Sequence, residues 1–464
     1  MDTDVNYDGR GAQQKLVSNR TPKLILLAAG TWFFALGAYS LYIGKPAYSA
    51  LLFTSAALPL AAIRLEPKWR SRVAFSVASL LLALYVAEVF VAALRPSQGW
   101  LRAWIEGRDY DHRTYHGVVR DLRAQGVDAY PFAPPRALLD NPPVPELTSL
   151  SSTANTTTVY CNEGGSYLIY ESDERGFHNP PGVWAQPADI VVAGDSYAHG
   201  ACVSSSENFV AQVRERFPRT VNLGLAGNGP LMMLAGLREY LPVLNPKVVF
   251  WCFYEGNDLE DLNSEKYSPV LQRYLSDREF RQNLPDRQPE IDRAVKAFAQ
   301  RVFTVEEPRA ALVDSVVHRV NFSQAFFRII QFNHLLGVVN RALDEPFGYG
   351  AAAERAQIPL LEEVLVQARG DVEAHGGRLV FVLLPGWDLA MRRSQRREAV
   401  KTRILETAAR AGLDAIDVTK PLQVAAERDA IIWYPGAHYT PFGYRVVAEE
   451  LLRELERHPP EAAR

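Results

Sequence analysis

Ser196 closes the stretch Val191-Val192-Ala193-Gly194-Asp195-Ser196, an apolar run ending in a glycine, an acid and a hydroxyl. A serine hydroxyl is a weak nucleophile until a general base takes its proton during attack, and imidazole has the pKa suited to that work near neutral pH. His438, just before a helical pattern near the C-terminal end, is the candidate base. A carbonyl attacked by Ser196 passes through a tetrahedral oxyanion, which needs donors aimed where the charge develops. The main-chain N–H groups of Ser196 and Gly227 and the side-chain amide of Asn257 are the candidates, one from each of three loops. Gly227 also lets main chain approach closely. Asp195 and Asp258 adjoin these candidates and are expected to bind loop backbone and fix the turns. The chemistry so assembled is acyl transfer through an acyl-enzyme on Ser196, and it calls for no metal and no organic cofactor.

For these loops to meet, the elements before them must lie side by side. Beyond Ala188, short β-branched runs alternate with helical patterns, which implies a parallel sheet with crossover helices. Strands are predicted at 190–193, 220–223, 248–254, 379–384 and 415–418, and helices at 208–217, 231–241, 393–411 and 442–456. Function in an open parallel sheet gathers at the carboxyl ends of the strands, which is where Ser196, Gly227 and Asn257 fall. Between Asp258 and Gly350, charged residues mix with Phe303, Phe322, Phe326, Phe327 and Phe332 at roughly helical spacing. That pattern predicts a helical insertion packed on its own domain, an acyl or sugar groove being the alternative. Upstream, 156–160 and 166–170 are rich in Thr, Val, Tyr and Ile and flank Glu163-Gly164-Gly165, a predicted β-hairpin. The proline-rich run 130–135 is read as the end of a helical stalk that begins near Pro96.

The N-terminal part differs in kind. Apolar stretches of 20, 17 and 22 residues at 24–43, 47–63 and 73–94 contain one charge, Glu88. About 20 such residues cross a bilayer, and a cleaved signal would be a single shorter run, so a three-helix anchor is expected. Arg10, Lys15, Arg20 and Lys23 precede the first stretch, and Arg64, Lys68, Arg70 and Arg72 crowd the second loop. The excess of cations puts both segments in the cytoplasm and sends everything after Leu94 outside. Glu88, near the end of its helix, is expected to be solvated at the interface. The net charge of −3 provides no field for nucleic acid, which is excluded as a partner. Three cysteines are too few for a disulfide scaffold and lack metal-ligand spacing. In an oxidising exterior Cys161 and Cys202 are a candidate disulfide pair, while Cys252 lies in a predicted central strand and reads as a buried thiol.

At these residues the chain resembles the SGNH or GDSL hydrolases, whose four blocks supply Ser, Gly, Asn and His. The likeness spans about 189–452, interrupted by the insertion. It implies a flavodoxin-like αβα sandwich with a five-stranded parallel sheet, Ser196 as nucleophile, Gly227 and Asn257 in the oxyanion hole, and His438 as base. The family places an aspartate two or three residues before its histidine, where this chain has Gly436 and Pro435. A Ser-His dyad is therefore expected, with imidazole oriented by a main-chain carbonyl near Trp433 or Tyr434 or by Asp429 or Glu255. The resulting organisation is a cytoplasmic tail (1–23), three spans (24–94), a stalk or linker (95–150), a hydrolase domain (151–458, insertion 259–350) and a short tail (459–464). A bacterial inner membrane with the domain in the periplasm suits this layout. Three functions follow by analogy: an esterase acting on an acylated cell-envelope glycan or lipid, an O-acyltransferase of surface polysaccharide, and a catalytically degenerate glycan-binding module. A membrane acyltransferase is an additional candidate partner.

Overall fold

The structure, a computed structural model, describes residues 9–42, 46–94, 103–104, 107–139, 147–315, 349–391, 394–428, 431–434 and 438–460. These fall into two compact units, one before Arg95 and one after it.

The first unit contains helices α1 (Gly9–Tyr42), α2 (Pro46–Ala62) and α3 (Pro67–Leu94). Two segments, Arg20–Ala38 in α1 and Pro67–Phe90 in α3, are long and apolar enough to cross a membrane. Leu24, Phe34, Phe75, Leu80, Leu82 and Phe90 point outward from them, as lipid-facing side chains would. The middle stretch, expected as a third span, is shorter: α2 has 17 residues and its apolar part is Leu52–Ala62. Gly30 and Gly37 leave no room for a side chain against Leu60 and Phe53, so α1 and α2 approach closely. Glu88 is buried rather than solvated, one turn from Tyr85, whose hydroxyl accepts a hydrogen bond from Trp32.

The second unit opens with α4 (Tyr115–Ala124), capped by Thr114, which accepts from the N–H of Gly117. Strand β1 (Ala129–Pro131) pairs in parallel with β2 (Thr157–Val159), which pairs antiparallel with β3 (Ile169–Glu171). The expected hairpin is present, but 129–131 extends it to three strands instead of ending a stalk. A short helix, α5 (Pro135–Leu139), follows β1.

The main sheet is built from β4 (Ile190–Ala193), β5 (Thr220–Asn222), β6 (Val248–Tyr254), β7 (Arg378–Leu384) and β8 (Asp414–Asp417). All pairings are parallel, in the order β5-β4-β6-β7-β8. Each central strand is apolar apart from Arg378 at the start of β7, because helices cover both faces. Val191, Val249, Trp251 and Phe381 face one layer with α8 (Pro230–Leu244) and α12 (Tyr349–Ala374). Val192, Phe250, Val380 and the free thiol Cys252 face the other, with α7 (Phe209–Arg216) and α16 (Pro441–Arg457). Between β4 and β5 a single helical turn, α6 (Ser196–His199), precedes α7. The insertion is helical where described: α9 (Asp258–Glu265), α10 (Pro269–Ser276) and α11 (Gln288–Ser315). Phe303 packs with Val118, Val119, Ala129 and Val159, whereas Phe322, Phe326, Phe327 and Phe332 lie outside the described residues. The C-terminal helices α13 (Trp387–Ala390), α14 (Gln395–Arg410) and α15 (Thr419–Ala426) complete the layers with α16.

In this strand order the chain departs to opposite sides after β4 and β6, which opens a crevice at their carboxyl ends. The loops bearing Ser196 and Asn257 flank that crevice.

Candidate active site

Ser196 is placed by the geometry of its turn. A side chain at Gly194 would collide with Ala198 and Cys252, so the strand can pass directly into α6 only with glycine there. Asp195 caps α6 by accepting from the N–H of Tyr197 at 2.9 Å. Asp258 likewise accepts from the N–H of Tyr254 at 3.0 Å. Both acids therefore fix turns, as expected. Burial pushes Asp195 up to about 6, and burial together with the Asp195 charge raises Asp258.

Ser196 Oγ lies 2.9 Å from His438 Nε2. His438 Nδ1 lies 2.9 Å from Glu163 Oε1, and the His438 main-chain N–H donates to Glu163 Oε2 at 3.1 Å. An ionised carboxylate only accepts, so Nδ1 carries the proton and Nε2 is left to receive one from Ser196. The three side chains are arranged as a Ser-His-Glu triad would be, where a Ser-His pair with another orienting group was expected. Its acid comes from the β2–β3 turn, 275 residues before the histidine.

The ring nitrogen expected to meet a main-chain carbonyl near Trp433 or Tyr434, Asp429 or Glu255 meets Glu163 instead. Glu255 pairs with Arg397 and accepts from the N–H of Gly386. The N–H of Tyr434 donates to the His438 carbonyl at 2.8 Å, which holds the loop and leaves the ring to Glu163. Asp429, with Pro435 and Gly436, lies outside the described residues.

Glu163 is held from both sides. Asn162 Oδ1 accepts from the N–H of Gly165 at 2.8 Å, closing the turn, and Gly164 lies so close to the Tyr434 ring that no side chain would fit. Two residues before Glu163, Cys161 is joined to Cys202, six residues past the nucleophile. Cys202 Sγ lies 3.8 Å from His438 Nδ1. Glu163, Cys202 and His438 cluster tightly enough to suggest metal ligands, but the disulfide removes the thiolate that a metal would need. This disulfide was the available signal for Glu163. Pairing the two cysteines brings the hairpin acid to the nucleophile loop.

Gly227 adopts φ +86°, a left-handed conformation that favours glycine. With Ala226 it borders a cavity of about 780 Å³ that is also lined by Phe132, Arg136, Tyr160 and Cys161. The helix after this loop is anchored by Glu265, which accepts from the N–H groups of Gly229 and Leu231 and is raised to about 8 by burial. Asn257 stands at the start of α9, its amide donating to Asp261 at 2.9 Å. Direct hydrogen bonds thus unite Ser196, His438 and Glu163, while Gly227 and Asn257 stand on the neighbouring loops after β5 and β6.

Two buried histidines, His178 and His199, lie near the turn that carries Ser196. His178 Nδ1 contacts the His199 carbonyl and its Nε2 contacts Ser205 Oγ, each at 2.8 Å, and burial lowers it to about 4. His199 Nε2 meets the Tyr170 hydroxyl at 2.9 Å, and its ring stacks on Tyr160.

No protein-family model matches the sequence, and no curated protein matches it. Among solved structures, the chain is similar to a lipolytic protein of the G-D-S-L family from Veillonella parvula (13% identity, 58% of this chain and 98% of that one, TM-score 0.31). It is similar also to a lipase/acylhydrolase from Enterococcus faecalis (14%, 60% and 100%, 0.31) and an acetyl xylan esterase from Geobacillus stearothermophilus (12%, 59% and 96%, 0.32).

Proposed function

We propose that this chain is a membrane-anchored serine esterase that removes an acyl group from a cell-envelope glycan or lipid through an acyl-enzyme on Ser196. The observation that carries the reading is the unbroken hydrogen-bonded line from Glu163 through His438 to Ser196. As Ser196 Oγ attacks the ester carbonyl, His438 Nε2 takes its proton, and the imidazolium so formed is stabilised at Nδ1 by Glu163. The carbonyl oxygen becomes an oxyanion facing the N–H groups of Ser196 and Gly227 and the Asn257 amide. Collapse of the adduct expels the alkoxide, which leaves with the proton from His438. Water then attacks the acyl-enzyme by the same route in reverse.

The layout supports an extracytoplasmic site. If α1 and α3 both span, and the cations in the first part of α1 and in the segment 64–72 leading into α3 share the cytoplasmic side, α2 must also cross. That sends the second unit outward, to a compartment where a disulfide such as Cys161–Cys202 persists. The cavity beside Gly227, walled by Phe132 and Tyr160, suits the apolar face of an acyl group or a sugar ring.

The full-length protein in detergent is expected to react with a fluorophosphonate probe, and Ser196→Ala and His438→Ala to abolish labelling. Absence of wild-type labelling would return the chain to the class of binding modules. Product analysis with an ester donor and a glycan acceptor separates hydrolysis from O-acyl transfer.

A further inference from the structure

Asn257 breaks the rule for the position it occupies. An asparagine at a helix N-cap ordinarily turns its side-chain oxygen onto the first-turn N–H groups. Here the side chain makes no such capping bond. Its Oδ1 is buried without a hydrogen-bond partner, and Nδ2 donates to Asp261 Oδ2 one turn further along α9. The other Asp261 oxygen, Oδ1, pairs with Arg136 of α5. The Arg136 side chain in turn lies against Gly227: a Cβ there would sit 3.6 Å from its Cβ and 3.8 Å from its Cδ.

We infer that Arg136 and Asp261 are positioning residues that lock the Asn257 amide with its nitrogen, not its oxygen, available to the oxyanion. The inference rests on the serine-esterase reading. An amide has two N–H donors, so one can remain on Asp261 while the other meets the developing charge. An ionised carboxylate accepts only, which forces the nitrogen to its side. A protonated one could donate to the stranded Oδ1, turn the amide over and present an oxygen to an oxyanion. Asp261 must therefore stay charged in an acidic neighbourhood. Burial raises Asp261, Arg136 is the cation that opposes this, and the Glu260 charge adds to the rise; Asp195, Asp258 and Glu265 are in turn raised by the Asp261 charge.

The test is the rate of fluorophosphonate labelling of the full-length protein across pH, which needs no knowledge of the substrate. Asp261→Ala is expected to slow labelling about 10- to 100-fold, below the loss for deleting a whole oxyanion donor because the amide is freed rather than removed. Asp261→Asn, which preserves size, is expected to label more slowly than wild type, even if the alanine variant folds poorly. Arg136→Gln should move the acidic limb of the rate profile upward by about one pH unit, and Arg136→Lys should restore most of it. The double variant Arg136→Gln with Asp261→Asn should lack that shift, because the titrating carboxyl is gone. Labelling by Arg136→Gln and Asp261→Asn at the wild-type rate and with the wild-type pH profile overturns the inference while leaving the triad intact. Failure of the wild-type protein to label at Ser196 overturns the esterase reading, and this inference with it.

Discussion

Replacing Glu163 by Gln tests whether the hairpin acid orients the base. Gln is the same size and retains a main-chain contact to His438, so the fold should be unchanged. What it loses is the charge 2.9 Å from Nδ1, which matters most when His438 becomes an imidazolium. At an effective dielectric of about 20, that pair is worth about 6 kcal/mol, an upper bound of roughly four powers of ten in rate. Each side chain is 18% exposed, so water recovers part of the loss. The neutral amide also admits the wrong tautomer, with Nε2 protonated toward Ser196, as an Asp-to-Asn change does in an established triad. The expected outcome is a 10²- to 10⁴-fold fall in kcat on a chromogenic ester or in the fluorophosphonate labelling rate, with Tm unchanged. Activity of Glu163→Gln within threefold of wild type, with Ser196→Ala and His438→Ala inactive, would refute the orienting role.

Three further outcomes are expected. Opening the Cys161–Cys202 bond with paired serines should cost about 4 kcal/mol by loop-closure entropy over its 41-residue separation, read as a lower Tm in that variant, and should lower kcat by loosening Glu163. His178 lies below its ordinary value when folded, so the unfolded chain takes its proton first and stability falls as pH drops from about 6.5 toward about 4. The contribution, about 3 kcal/mol, should vanish from the pH dependence of thermal melting in His178→Gln. Gly227→Ala must hold a side chain at φ +86° and should cost about 1–2 kcal/mol of stability with a larger loss in kcat than in KM; wild-type kinetics would remove its N–H from the oxyanion hole.

The central strands were legible because parallel strands covered on both faces are continuous apolar runs. Predicted and observed bounds agree at 190–193 and 248–254, differ by one residue at one end at 220–222 and 378–384, and are offset by one residue at both ends at 414–417. Strand β1 was not legible: it has three residues, one of them Pro131, and its pairing with β2 depends on contacts that no local pattern encodes. The contact between Ser196 and His438 was foreseeable from their types and places, whereas that of Glu163 with His438 was open only through the Cys161–Cys202 pairing. An acid followed by two glycines is first of all a turn, and it meets His438 only through where the turn docks. Glu88 misled for a related reason, since a position near a helix end implies solvent only if no neighbour covers it.

Placing the acid on the hairpin changes what holds the triad together. With an aspartate a few residues before the histidine, acid and base would share a loop, and their spacing would survive loosening of the rest. Here Ser196 follows β4, His438 precedes α16 and Glu163 sits on a turn outside the main sheet, so the triad exists only while the hairpin stays docked. Two local features act on that docking: the Cys161–Cys202 bond and the contact of Gly164 with the Tyr434 ring. The bond works on the hairpin's freedom to leave, and the ring contact on the angle at which it arrives. A bulkier residue at 164 should therefore reduce kcat even with the disulfide intact, whereas breaking the disulfide should make activity fall more steeply with temperature. That difference in temperature dependence separates the two contributions.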